Sequence, residues 1–249
     1  MHNNGYAIAL GMFDGMHIGH RALVKSTVAF AKEYGCKSMV YTFENHPLAV
    51  LGRDPGTLMS VEERTDVMKM LGIDEVVMLP FSREFAAIQP EDFLKNLVDR
   101  YHMCAAFAGF NYTFGDKGRG DEPLLRKYGA EHGFHVSVLP PVLYDGNPVS
   151  STRVRYAILE GDMLTAAALL GEPYFLSGML EKDCEEEYFF RMHRMKILPT
   201  QGSYRVQLCG EDFTCEASAS IKPETIRVRI QTELDTAASV RMKILERIQ

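Results

Sequence analysis

The chain has no apolar run approaching the roughly 20 residues that a membrane-spanning helix needs, so no membrane role is expected. It shows no charged leader followed by an apolar core, and a secretory signal is not expected. It has no basic block, and the formal net charge is -6. Nucleic acid and anionic membranes are therefore not expected as main partners. Cysteine is sparse: Cys36, Cys104, Cys184, Cys209 and Cys215, with no C-x-x-C pair. An odd count at irregular spacing reads as free thiols in a reducing cytoplasm. Cys209 and Cys215 have hairpin spacing, but no disulfide is expected there. Two common nucleotide signatures are also missing, the Gly-x-x-x-x-Gly-Lys-Ser/Thr loop and the Gly-x-Gly-x-x-Gly fingerprint. There is no internal repeat and no low-complexity segment.

What remains is ordinary globular material, 46% hydrophobic and 24% charged over 249 residues. That suffices for one large domain, or one medium domain with a small appendage. Strand and helix patterns alternate over the first two thirds. Strands are expected at Tyr6–Leu10, Lys37–Phe43, Glu75–Leu79, Cys104–Ala108 and His135–Leu139. Helices are expected after Gly19, from Ser60-Val61-Glu62-Glu63 (a capping box), from Pro90, over Glu122–His132, and from Ser150. This rhythm predicts a parallel α/β sheet with helices on both faces. Asp116–Gly120, rich in glycine and charge, reads as a mobile loop. Past Gly171 the composition changes. An acidic loop is expected at Glu181–Glu187, a hairpin at Ser203–Leu208 and Phe213–Ser218, a strand at Ile226–Ile230, and a closing helix at Ala237–Ile248. The expected boundary lies near Pro173–Gly178, giving domains 1–176 and 177–249.

One stretch stands out: Gly11-Met12-Phe13-Asp14-Gly15-Met16-His17-Ile18-Gly19-His20. It joins the first strand to the first helix. A glycine turn lets backbone approach a ligand, and a helix N-terminus offers N–H groups and a positive dipole end. His17 and His20 add donors for phosphate oxygens. Three more segments fall at ends of expected strands or starts of helices: Thr42–Pro47, Gly109–Gly115 and Ser150–Arg155. In open α/β sheets such loops gather at the topological switch point. Together they suit a polyphosphate, with attack on an α-phosphate and pyrophosphate leaving. Such chemistry asks the protein mostly for positioning and charge stabilisation.

These motifs, in this order, resemble the FMN adenylyltransferase part of bacterial FAD synthetase, the bifunctional riboflavin kinase/FMN adenylyltransferase. The resemblance covers about the first 178 residues and includes Leu170-Gly171-Glu172-Pro173-Tyr174. It implies a Rossmann-like nucleotidyltransferase domain that converts FMN and ATP to FAD and pyrophosphate with Mg²⁺. By the same resemblance, His17, His20 and Arg153 are catalytic. Gly11, Phe13, Gly15, Gly19, Ser151, Thr152 and Arg155 serve ATP and its phosphates. Asp14, Asn45, His46, Pro47, Asn111 and Tyr112 serve FMN. No protein metal ligand is implied.

Several of these residues have a second reading. Asp14 positions FMN or metal, or caps the turn. His46 lies near the flavin, or is a loop histidine bonded to backbone. Phe110, Tyr112 and Phe114 line a pocket or belong to the core. Arg155 contacts phosphate or forms a surface ion pair. Asn111 stands where the family usually has Asp. The kinase barrel's Gly-Phe-Pro-Thr-Ala-Asn stretch is absent from Leu180–Ile197, where only Leu198-Pro199-x-x-Gly202-x-Tyr204 is similar to the barrel's next strand. The remaining chain is expected to be too short for a full barrel. A truncated β-rich remnant without riboflavin kinase activity follows from that expectation, with Glu185-Glu186-Glu187 as a solvated run.

Overall fold

A computed structural model describes residues 5–50, 52–184, 186–231 and 238–248. Glu185 and Ala237 lie outside the described residues. The chain divides into two compact units: Met1–Pro55 with Val61–Leu143, and Gly56–Ser60 with Tyr144–Gln249. The helices that follow Ser150 therefore group with the C-terminal strands. No helix among the described residues is long and apolar enough to cross a membrane.

The first unit is built on five parallel strands: β1 (Tyr6–Leu10), β2 (Lys37–Phe43), β3 (Glu75–Leu79), β4 (Met103–Gly109) and β5 (His135–Leu139). Their order in the sheet is β3-β2-β1-β4-β5. Ala7, Ile8 and Ala9 are fully buried because β1 is central, which explains its unbroken apolar run. Its helices are α1 (Ile18–Tyr34), α2 (Pro47–Val50), α3 (Val61–Met70), α4 (Arg83–Ala86), α5 (Pro90–Tyr101) and α6 (Glu122–His132). Ile8, Leu10, Met39 and Tyr41 meet Phe93, Leu94 and Leu97 of α5 in one core cluster. Full burial of each such side chain contributes about 1.5–3 kcal/mol. The chain builds β1 to β3 outward on one side, then crosses back to place β4 on the other. The reversal lies between β1 and β4, whose C-terminal ends carry Gly11–His20 and Gly109–Gly115.

The segment Asp116–Gly120, expected as a mobile loop, is tied to its surroundings by backbone pairings. Phe114 and Gly120 exchange two backbone hydrogen bonds (3.0 and 2.8 Å), and the Asp116 N–H donates to the Ile88 carbonyl at 2.6 Å. Gly115, at φ 73, has Pro90 so close that a Cβ would stand 2.7 Å from its backbone nitrogen. Composition does not report these backbone pairings.

After β5 the chain forms a short hairpin, β6 (Leu143–Tyr144) and β7 (Asn147–Pro148), then α7 (Ser151–Glu160) and α8 (Met163–Leu170) of the second unit. Six strands follow: β8 (Phe175–Lys182), β9 (Glu187–Met192), β10 (Gly202–Cys209), β11 (Thr214–Lys222), β12 (Thr225–Arg229) and β13 (Ala238–Ile248). They form a closed barrel in the order β10-β11-β12-β9-β8-β13. This corrects the expectation of a chain too short for a full barrel. It also corrects the expected terminal helix. β13 pairs with both β10 and β8, so it is the strand that closes the cylinder. Its residues include good helix formers, but Val240, Met242 and Ile244 are buried in strict alternation. Two flanking ladders and that period of two outweigh local propensity. The acidic loop is likewise shorter than expected, since Glu181 and Lys182 end β8 and Glu187 opens β9. The Cys209 and Cys215 thiols are free.

Candidate active site

The turn after β1 is wound left-handed. Phe13 (φ 51), Gly15 (φ 74) and Met16 (φ 45) all occupy positive φ. Phe and Met resist this conformation, and full burial of both side chains holds them there. The winding delivers His17 to the N-cap of α1. Its Nδ1 accepts the His20 backbone N–H at 3.2 Å. The two imidazoles stack with centroids 3.6 Å apart and planes 16° from parallel, and Phe13 packs against His20 at 5.2 Å. Gly19 favours this arrangement, because a Cβ there would lie 3.2 Å from the His17 ring and press on it. Gly11 lies against the Phe13 ring in the same way.

Burial pushes His17 down to about 4. Burial, with the neighbouring His17 and the Arg64 cation, pushes His20 well below its usual range. Both rings are therefore neutral at pH 7. A neutral His17 whose Nδ1 accepts must carry its proton on Nε2. The His20 Nδ1 is buried and has no hydrogen-bond partner among the described residues.

Arg64 of α3, 2% exposed, ties this turn to the loop after β2. Its Nη1 donates to the Met12 carbonyl (3.1 Å), and its Nη2 donates to the carbonyls of Phe43 (2.9 Å) and Glu44 (3.0 Å). The Thr42 hydroxyl donates to the same Met12 carbonyl at 3.0 Å. Asp14 is buried in the turn, and its charge supports that of Arg64. Arg64 was not among the expected site residues. Its sequence signal is an arginine on the apolar face of α3, in line with Val67 and Met68, which are buried.

In the loop after β2, Asn45 uses its amide on backbone: Oδ1 accepts the Phe81 N–H (2.8 Å) and Nδ2 donates to the Phe81 carbonyl (3.0 Å). The His46 Nδ1 accepts the Leu48 N–H at 3.1 Å, as in its backbone-bonded reading, and Pro47 is the first residue of α2. After β4, Asn111 is exposed, whereas Tyr112 packs on the core and stacks on Phe114 with centroids 5.7 Å apart. Burial pushes the Tyr112 phenol well up. Phe114 is a core residue and Phe110 is exposed.

In the second unit, Ser150 caps α7 by accepting the Arg153 N–H at 3.2 Å, which sets Ser151 and Thr152 in the helix's first turn. Arg153 turns its Nη1 to the carbonyls of Tyr144 (3.2 Å), Asn147 (2.8 Å) and Pro148 (3.0 Å). Arg155 is buried, and its Nε and Nη2 donate to the Gly56 carbonyl (3.2 and 3.1 Å). It is therefore not a surface residue, which corrects one of its two readings.

The model of the FAD synthetase family matches residues 1–153. The chain belongs to the FAD synthetase family. A bifunctional riboflavin kinase/FMN adenylyltransferase from Listeria monocytogenes is 30% identical, over 96% of this chain and 77% of its own length. A relative of the same description from Escherichia coli K12 is 29% identical, over 92% of this chain and 77% of that protein. Among solved structures, a macrolide-efflux protein from Streptococcus pneumoniae superposes with a TM-score of 0.90 at 27% identity, covering 98% of this chain and 86% of that one. The family match contains all of Gly11–His20, Thr42–Pro47 and Gly109–Gly115, and ends at Arg153.

Proposed function

We propose that this chain transfers AMP from ATP to FMN, forming FAD and pyrophosphate. The observation that carries the reading is the locked His17–His20 pair at the start of α1. The FMN phosphate oxygen attacks the α-phosphorus, and the bond from that phosphorus to the β-phosphate's bridging oxygen breaks. Charge builds on oxygens, and in this reading the N–H groups of Ile18 and Gly19, with the Nε2–H of His17, are the donors that meet it. No covalent protein intermediate is needed. Phe13, Asp14, Gly15 and Gly19 shape the turn around the nucleotide, and His46, Pro47, Asn111 and Tyr112 belong to the flavin side. Asn45 serves that side through Phe81, by fixing the loop. The first turn of α7, with Ser151 and Thr152, is a phosphate-binding geometry in its own right.

Mg²⁺ enters this reading with ATP. Among the described residues no group of three His, Cys, Asp or Glu side chains stands ready for a metal. The donor set fits a cation held mainly by phosphate oxygens and water.

We further propose that riboflavin is not phosphorylated. The barrel is closed, and what sets it apart is the stretch between β9 and β10. There His193-Arg194-Met195-Lys196-Ile197-Leu198 stands without a Gly-Phe-Pro-Thr-Ala-Asn sequence. Lys196 is buried, donates to the Phe175 carbonyl at 2.8 Å and lies 4.3 Å above the Phe175 ring. The Tyr174 hydroxyl donates to the Ile197 carbonyl at 2.9 Å. The Lys196–Leu198 end of the stretch is thus packed, while His193, Arg194 and Met195 are exposed. Purified chain incubated with Mg-ATP and either flavin tests both statements by chromatography. FAD from FMN and no FMN from riboflavin is the expected pattern. FMN binding without FAD would instead mark a flavin-binding protein that has lost the transfer step.

A further inference from the structure

Arg64 is an unusual side chain for its position. It is a cation with 2% exposure on the apolar face of a short helix, surrounded mainly by backbone oxygen. Burying a guanidinium is costly unless its donors are met. Three of its bonds go to carbonyls in two separate places, Met12 in the turn after β1, and Phe43 and Glu44 where β2 ends and its loop begins. Its Nε is buried without a partner among the described residues. Asp14 and Glu62 supply supporting negative charge. A side chain needed only to fill the core would be met more cheaply by Leu or Met. What a guanidinium adds is a rigid planar fork that fixes one loop against the other.

We propose that Arg64 is a positioning residue for nucleotidyl transfer, setting the distance between the histidine turn and the Thr42–Pro47 loop. The proposal rests on the transfer reading above. The histidine turn serves the ATP side and the Thr42–Pro47 loop the flavin side. Each half retains its own binding groups when the fork is removed, but their mutual placement slackens. A misplacement of about 1 Å between reacting groups costs on the order of 100-fold in rate. Thr42 shares the Met12 carbonyl with Arg64, so it belongs to the same device with one bond instead of three.

The test uses the full chain as Arg64→Met, Arg64→Lys and Thr42→Val. Rates are expressed per folded molecule, with the folded fraction taken from circular dichroism. ATP and FMN affinities are measured separately by calorimetry. The expected result is a kcat lowered by roughly 30- to 100-fold in Arg64→Met, with both separate dissociation constants within about threefold of wild type. Arg64→Lys keeps the charge without the fork and remains at least about tenfold slow. Thr42→Val loses a few-fold, and keeps the proposal testable if neither Arg64 variant folds. Wild-type kcat per folded molecule in the variants that fold, or a loss confined to one substrate's affinity, overturns the proposal. A wild-type chain that makes no FAD fails differently: it removes the transfer reading and this proposal together.

Discussion

The Nδ1 of His17 accepts the backbone N–H of His20 at 3.2 Å, and the two rings stack 3.6 Å apart. One imidazole thus caps the helix that carries the other. The cap fixes which His17 nitrogen can donate, and stacking fixes where the second ring lies. Two histidines three residues apart become a rigid stacked pair at a helix N-terminus.

This pair gives the fold an acid sensitivity with a definite sign. His17 is held near 4, below the ordinary value of 6.5. Unfolded chains take up a proton below pH 6.5 that the native state refuses until about pH 4. The contribution to stability is therefore complete above pH 6.5 and is lost as pH falls towards 4. His17→Asn keeps a side-chain acceptor for the His20 N–H without the titration. Between those two values wild type should lose up to about 3 kcal/mol more than the variant in urea unfolding. Parallel pH curves would contradict it.

His20 makes no side-chain bond through Nδ1, so its removal should fall on chemistry and not on folding. His20→Ala is expected to lower the turnover of FMN and ATP by about 100- to 1,000-fold. Its melting temperature should stay within a few degrees of wild type. A large drop in melting temperature would make His20 a structural residue.

Asn45 behaves in the opposite way. Its amide closes both backbone groups of Phe81, and Asn45→Ala leaves them unpaired. A loss of about 1–3 kcal/mol in chemical denaturation is expected. A variant of unchanged stability but weakened FMN affinity would return Asn45 to direct flavin contact.

Barrel closure has its own signature. Ile244 points into the barrel with no exposure, whereas the neighbouring Lys243 is half-buried. Ile244→Ala should cost about 2–5 kcal/mol and Lys243→Ala under about 1 kcal/mol. Equal, small effects at both positions would be incompatible with β13 as the closing strand.

The Rossmann-like half is legible in the sequence because each signal is local. Gly35 and Gly133 end helices in left-handed conformation, Pro90 opens one, and each parallel strand reads as a short apolar run. The barrel is hidden because its evidence is distant. β13 is a strand only because β10 and β8 flank it, and its Ala, Met, Lys and Leu content points the other way until Val240, Met242 and Ile244 are read at a period of two. In the site, the residue types of the histidine turn are legible, as is their family. For Arg64 only its place on the apolar face of α3 is legible and not its role, because its partners are carbonyls, and carbonyls have no letter in a sequence. For the same reason the sequence does not show that the Nη1 of Arg153, expected as a catalytic residue, faces three backbone oxygens.

The most direct measurement follows the α-phosphorus itself. Purified full-length chain is given FMN, Mg²⁺ and ATP labelled at the α-phosphate, and the products are separated. The account predicts label in FAD, one FAD for each pyrophosphate released, and almost no transfer by His20→Ala. Label appearing in ADP or free AMP with no labelled FAD would contradict it.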